Sequence, residues 1–140
     1  MFDLTLTFDN GPEPGVTPRV LDILRERGIK ATFFVIGEKL VDGERRKLAA
    51  RAHDEGHWIG NHTFTHSVPL GQQHDAETAQ EEIGRTQAAI GDLAHTERWF
   101  RPFGGGGNLD TRLLKPSVVD YLRRNKHACV LWNAIPRDWD

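Results

Sequence analysis

The chain has 140 residues, 38 % of them hydrophobic, so one domain with a single core of ordinary size is expected and a second domain is not. Its 18 basic and 20 acidic residues are mixed along the sequence and give a formal net charge of -2, which excludes a basic field able to hold nucleic acid or an anionic membrane. The single cysteine, Cys129, rules out an internal disulfide and a cysteine-based metal site, and beside Val130 and Leu131 it reads as a small buried hydrophobe.

Leu4-Thr5-Leu6-Thr7-Phe8 alternates apolar and polar with period two and predicts a strand that stops at the turn formers Asp9-Asn10-Gly11-Pro12. Thr17-Pro18 then reads as an N-cap and a first-turn proline, with Val20, Leu21 and Leu24 on one face and Gly28 as the stop of a helix. Ala31 to Ile36 is β-branched and aromatic, as in a strand buried on both sides. A second helix is expected from Glu44 to Glu55, and His57 to Gly60 as a short strand followed by a loop from Asn61 to Ser67.

From Asp75 to about His95, Ile83, Ile90 and Leu93 recur at helical spacing in a polar context, which predicts a long amphipathic helix. Trp99-Phe100 marks a further strand, Gly104 to Gly107 a flexible loop, Ser117 to Lys126 a helix and Ala128 to Trp132 a last strand. Strands alternating with helices imply an α/β fold with a parallel sheet or barrel, whose chemistry sits in the loops after the C-terminal strand ends. Asp9, His62, Arg101 and Asp138 all fall at or just beyond such ends.

No apolar run approaches the length of a membrane span, and Met1-Phe2-Asp3 enters a strand pattern without a charged region or an apolar leader. As written, the chain is expected to be soluble and cytoplasmic, with no membrane and no nucleic acid among its partners.

His62-Thr63-Phe64-Thr65-His66 carries two histidines that can face one direction on a helical turn and offer two neutral imidazoles to one metal ion. Alone the pair is weak evidence, since among 7 histidines a close pair arises by chance, and two surface or hydrogen-bonded histidines in a loop are the more frequent case. Asp9 at the end of the first strand changes the balance, because hydrolysis by metal-activated water needs a base beside the ion as well as ligands on it. Taken singly, Arg101 reads as a surface arginine, Asp138 as a cap, and Trp139 or Phe103 as packing residues.

Taken in order, Thr7-Phe8-Asp9-Asn10-Gly11-Pro12, His62 to His66, Phe100-Arg101-Pro102-Phe103-Gly104 and Arg137-Asp138-Trp139 resemble the first four motifs of the polysaccharide deacetylase family, carbohydrate esterase family four. Gly28-Ile29-Lys30-Ala31-Thr32-Phe33-Phe34 is also typical of it, and the resemblance spans essentially the whole chain. It implies a deformed (β/α) barrel around one divalent metal ion, with Zn²⁺ expected and Co²⁺, Mn²⁺ or Ni²⁺ as alternatives. The implied reaction is removal of acetyl groups from an N-acetylated glycan or oligosaccharide of the chitooligosaccharide or peptidoglycan kind.

The resemblance gives Asp9 the role of general base, His62 and His66 those of metal ligands, and Arg101 that of the group fixing the base carboxylate. Asp138 matches the carboxylate that orients a catalytic histidine, and Trp139, with Phe103 and Gly104, the substrate groove. Asn10 stands where the family has a metal-binding aspartate, so weaker metal binding is expected, a neutral ligand attracting a dication less than a carboxylate does. The third motif lacks one proline and is followed by Gly105 to Gly107.

The sequence reaches Asp140 before a fifth motif whose histidine protonates the leaving amine, so residues 1–140 read as a catalytic domain without its last strands. Either the reading frame is longer, or the open sheet edge is closed by a homo-oligomer. Two alternatives stay beside deacetylation: a non-catalytic relative that binds saccharide or a partner, and a hydrolase of linear amides on the same site.

Overall fold

The computed structural model describes residues 3–73 and 77–134. Strand β1 is Thr7–Gly11, later than the alternating pattern suggests, and it runs through the Asp9-Asn10-Gly11 segment read above as a turn. The reason lies in its partner. Thr7, Phe8 and Asp9 pair in parallel with Thr32, Phe33 and Phe34 of β2, and Gly11 pairs with Val35 after a register shift at Asn10. Asn10 takes φ 69°, a left-handed conformation that asparagine tolerates better than most residues, and the extra residue forms a bulge that re-aims the strand end.

Helix α1 spans Thr17–Arg27. Val16, not Thr17, occupies the cap position, and the Thr17 hydroxyl accepts instead from the backbone N–H of Glu13 at 2.8 Å. Gly28 ends the helix at φ 63°, its N–H bonding to the Arg25 carbonyl while Ile29 N–H bonds to that of Leu24. β2, Thr32–Val35, is buried at every position, as its composition predicts. A 3₁₀ turn over Gly37–Val41 leads to α2, Gly43–Asp54, capped by Asp42, whose carboxylate accepts from the N–H groups of Glu44 and Arg45. β3, Trp58–Asn61, completes a parallel sheet in the order β1-β2-β3.

The predicted long helix is interrupted. Its expected start at Asp75 lies outside the described residues; within them, a π-helical turn at Gln80–Gly84 runs into α3, Arg85–Ile90, and a 3₁₀ turn at Gly91–Leu93. Ile83, Ile90 and Leu93 are buried as their spacing requires. Helix α4 is Pro116–Arg124, with proline in the first turn and Val118 and Leu122 buried.

The expected strands at Trp99-Phe100 and Ala128–Trp132 reduce to single parallel bridges, Asn61 to Phe100 and Phe100 to Cys129. Phe100 receives its neighbours on both sides, but Pro102 follows almost at once and has no N–H to extend the ladder. With only Phe100 to pair against, the segment around Cys129 gains no more than one bridge, and Cys129 is exposed rather than buried. Gly104 to Gly107, expected as a flexible loop, form a turn in which all four glycines have positive φ.

The core lies in two parts. One, under α1 and α2, contains Leu21, Leu24, Phe33, Val35 and Ile59; the other, under α4, contains Leu70, Ile83, Phe100, Leu113 and Val118. Asp9 and Asn61 lie toward the C-terminal ends of β1 and β3, and Phe100 bridges to Asn61. Among the described residues, no helix is long and apolar enough to cross a membrane.

Candidate active site

Arg101 organises the site. It follows Phe100, is almost completely buried at 3 % exposure, and sends its guanidinium back across the sheet to β1. Nη1 donates to Asp9 Oδ1 at 2.9 Å and to Thr7 Oγ1 at 2.7 Å, while Nε and Nη2 donate to the carbonyls of Val130 and Leu131. The cation lies 4.1 Å from the centre of the Phe34 ring and 5.4 Å from that of Trp132. A planar fork with several donors can serve four oxygens between two rings, whereas a single ammonium cannot.

The second Asp9 oxygen, Oδ2, lies 3.8 Å from His62 Nε2. The other ring nitrogen of His62 is 2.7 Å from the Arg101 carbonyl. A carbonyl only accepts, so Nδ1 carries the proton and Nε2 presents its lone pair toward Asp9. Burial pushes the His62 pKa down to about 4 against the opposing pull of the Asp9 charge, and burial lowers that of His66 as well. At neutral pH both imidazoles are therefore uncharged. Their centres are 4.9 Å apart, and the far side of His66 packs on Phe103 at 4.1 Å.

His62 and His66 do not lie on a helical turn, as their spacing alone suggests. They bracket an irregular loop in which Thr63 and His66 take φ 70° and 53°, and these left-handed residues fold the chain back so that the two rings approach. Asn10 is exposed beside Asp9, and its carbonyl accepts from Lys39 Nζ at 2.8 Å. Gly104 lies at φ 88° against Pro69. Asp9, His62, His66, Arg101, Asn10, Phe103 and Gly104 thus come to one end of the sheet; Asp138 and Trp139 lie outside the described residues.

Among the described residues, no three His, Cys, Asp or Glu side chains are grouped closely enough to hold a metal ion. The donor chemistry nevertheless suits one. Two neutral imidazoles meet, one of them held in a single tautomer by a backbone carbonyl, as is typical of metal-ligating histidines. Asn10, next to Asp9 on β1, offers a neutral amide where the family pattern has a charged oxygen.

Sequence reasoning missed several residues that shape the site. Thr7, Phe34 and Trp132 hold Arg101, and Lys39 holds the bulge; each reads in the sequence as an ordinary strand or surface residue. Glu82, buried against the histidine loop, stands beside Glu81 in a polar helical stretch, with nothing in the pattern to distinguish the two.

Known proteins resemble this chain over nearly its whole length. A chitooligosaccharide deacetylase of Rhizobium leguminosarum bv. phaseoli is 41 % identical over 137 residues, covering 97 % of this chain and 56 % of that protein. The peptidoglycan-N-acetylmuramic acid deacetylase PdaA of Bacillus subtilis is 34 % identical over 136 residues, 96 % of this chain and 48 % of that protein. The chain thus spans about half the length of these curated relatives. A family 4 carbohydrate esterase from Streptomyces lividans, solved in complex with acetate, superposes with a TM-score of 0.78 at 29 % identity, over 97 % of this chain and 65 % of that one. Residues 3–128 match the family model described as polysaccharide deacetylase, and the chain belongs to that family.

Proposed function

We propose that this chain carries the catalytic half-site of a metal-dependent deacetylase acting on an N-acetylated glycan. The observation that carries the reading is the placement of Asp9 between Arg101 and His62: one carboxylate oxygen is fixed by the guanidinium at 2.9 Å, and the other faces an uncharged imidazole nitrogen at 3.8 Å. A base and a metal ligand therefore address the same point.

His62 and His66 would hold the ion, with Asn10 as a third, neutral ligand, and imidazole donors suit Zn²⁺ with Co²⁺, Mn²⁺ and Ni²⁺ as substitutes. When bound, the ion supplies Lewis acidity to an acyl carbonyl. Asp9 accepts a proton from the attacking water, and Arg101 keeps its carboxylate aimed while charge develops. Burial keeps Nε2 of His62 unprotonated, so proton competition for that ligand is weak at neutral pH. Phe103 and Gly104 form one side of the substrate groove. Asp138 and Trp139 are assigned by family pattern to orienting a proton-transferring histidine and to the opposite wall. That histidine matches no position of this sequence.

Acetate release from chitin oligosaccharides tests the reading. Release is expected to stop on chelation, to return with Zn²⁺ or Co²⁺, and to fall roughly 10²- to 10⁴-fold in Asp9→Asn with metal content unchanged. Release that survives chelation would sink it.

Asn10 favours a second reading, a non-catalytic relative that retains glycan binding, because position 10 lacks the charge that anchors the ion. Measurable turnover or stoichiometric metal excludes it; glycan binding without either supports it.

A further inference from the structure

The loop from His62 to His66 contains no glycine, yet two of its residues, Thr63 and His66, adopt left-handed backbone conformations. Such a conformation at a residue with a side chain persists only where its surroundings over-determine it. Here the surroundings can be followed bond by bond. His62 N–H bonds to the Val35 carbonyl, and Thr63 N–H bonds to the side-chain oxygen of Asn61. The carbonyls of Thr63 and Phe64 accept from the backbone N–H groups of Gly37 and Glu38 at 2.9 and 3.0 Å. Three further donors point the other way, to one side chain: Glu82 Oε2 accepts from Phe64 N–H and Thr65 N–H, each at 3.0 Å, and Oε1 accepts from the Thr65 hydroxyl at 2.8 Å.

Glu82 is buried, with 7 % exposure, and sits in the π-helical turn Gln80–Gly84. The same turn is tied to the loop a second time, by the Asn61 side-chain amide donating to the Ile83 carbonyl at 2.9 Å. π-Turns inside helices recur at functional sites, and this one delivers a carboxylate to the back of the histidine loop. We propose that Glu82 is a positioning residue: its carboxylate clamps the Phe64-Thr65 backbone and so sets His62 and His66 in the relative orientation they need to bind one metal ion. The inference rests on the reading of those two histidines as ligands.

An anion does this task more strongly than a neutral amide. The carboxylate makes all three bonds charge-assisted; glutamine would keep a weaker neutral acceptor for the two N–H groups and turn an NH₂ toward the Thr65 hydroxyl, which would then donate to Ser67 instead. Removing a supporting partner of this kind weakens a metal site by about 10- to 100-fold. Glu82 touches neither substrate nor the reacting atoms, so its loss acts on ligand geometry and leaves the glycan contacts at Phe103 and Gly104 in place.

The experiment compares Zn²⁺ dissociation constants of the wild-type chain, Glu82→Gln and Glu82→Asp by competition with a chromophoric chelator, together with amide hydrogen exchange at Phe64 and Thr65. Glu82→Gln is expected to bind Zn²⁺ about 10- to 100-fold more weakly and to exchange those two amides faster, while Glu82→Asp, which keeps the anion, recovers part of both. KM for a chitin oligosaccharide at saturating metal should not change. Should Glu82→Gln not fold, Glu82→Asp carries the comparison through its own weaker binding and faster exchange. Zn²⁺ binding that is the same in the variants and the wild type overturns the role of Glu82 alone. Absence of Zn²⁺ binding by the wild type overturns the ligand reading beneath it.

Discussion

Arg101 and Asp9 lie 92 residues apart in sequence and meet at 2.9 Å, the guanidinium reaching from the residue after Phe100, which bridges to β3, back to β1. The contact ties β1 to the segment after Phe100 through the group that the proposed chemistry most needs held still. Arg101→Lys keeps the charge but serves one or two of the four oxygens. We expect catalytic efficiency to fall roughly 10²-fold through misplacement of Asp9. Urea denaturation should register a loss of about 1–3 kcal/mol from the carbonyls of Val130 and Leu131 left without a donor. A lysine variant with unchanged efficiency would show that Asp9 does not depend on the fork.

Asn10→Asp adds a carboxylate where only a neutral amide now stands. Zn²⁺ affinity measured by equilibrium dialysis should rise by about 10-fold or more, comparable to what other supporting groups contribute to a metal site. Equal affinity would remove Asn10 from the ligand set.

Gly37 marks the closest approach of the 3₁₀ turn to the histidine loop and α3. A Cβ there would stand 2.4 Å from Thr86 Oγ1 and 2.6 Å from Phe64 Cδ2, while the Gly37 N–H holds the Thr63 carbonyl. Gly37→Ala must push these apart. The expected cost is about 1–3 kcal/mol in thermal or urea unfolding, accompanied by weaker Zn²⁺ binding as the loop shifts. Gly43→Ala, where nothing lies within 4 Å of the added carbon, serves as the control.

His57 gives the fold an acid-sensitive point away from the site. It is 3 % exposed, its Nδ1 accepts from Ala31 N–H at 3.2 Å, and its Nε2 is buried without a partner among the described residues. Burial lowers its pKa from the ordinary 6.5, with the Lys30 charge adding to the effect and that of Glu55 opposing it. The folded-state pKa lies below the unfolded one, so the stability linked to His57 is complete above 6.5 and is lost as pH falls toward the folded value. His57→Asn keeps an acceptor without the titration. Its stability should decline less steeply than the wild type's below pH 6.5, by up to about 1.4 kcal/mol per pH unit. Parallel slopes would mean that His57 is not responsible.

The histidine pair shows how far the sequence could be read. His62 and His66 were identifiable by type and spacing, but four residues apart suggested a helical turn, and the rings meet instead because Thr63 and His66 are left-handed. That conformation is imposed by Asn61, Gly37, Glu38 and Glu82, none of which is marked by local pattern. The strands around Phe100 and Cys129 were legible as apolar segments in parallel order; that they reduce to isolated bridges through Phe100 alone depends on Pro102, which follows it without an N–H to extend the ladder. Cys129 looked buried because its neighbours are apolar, yet its side chain is exposed.

By itself, the sequence determined the α/β alternation, the apolar faces carrying Leu21, Leu24, Ile83 and Ile90, and the family, because periodicity and ordered motifs are properties of the chain. Only the tertiary structure decided that Arg101 spans the sheet to Asp9 and that the His62 ring carries its proton on Nδ1. It alone decided, too, that Glu82 rather than Glu81 faces the histidine loop. Each of these depends on which distant backbone carbonyls and amides are left needing a partner once the strands have paired.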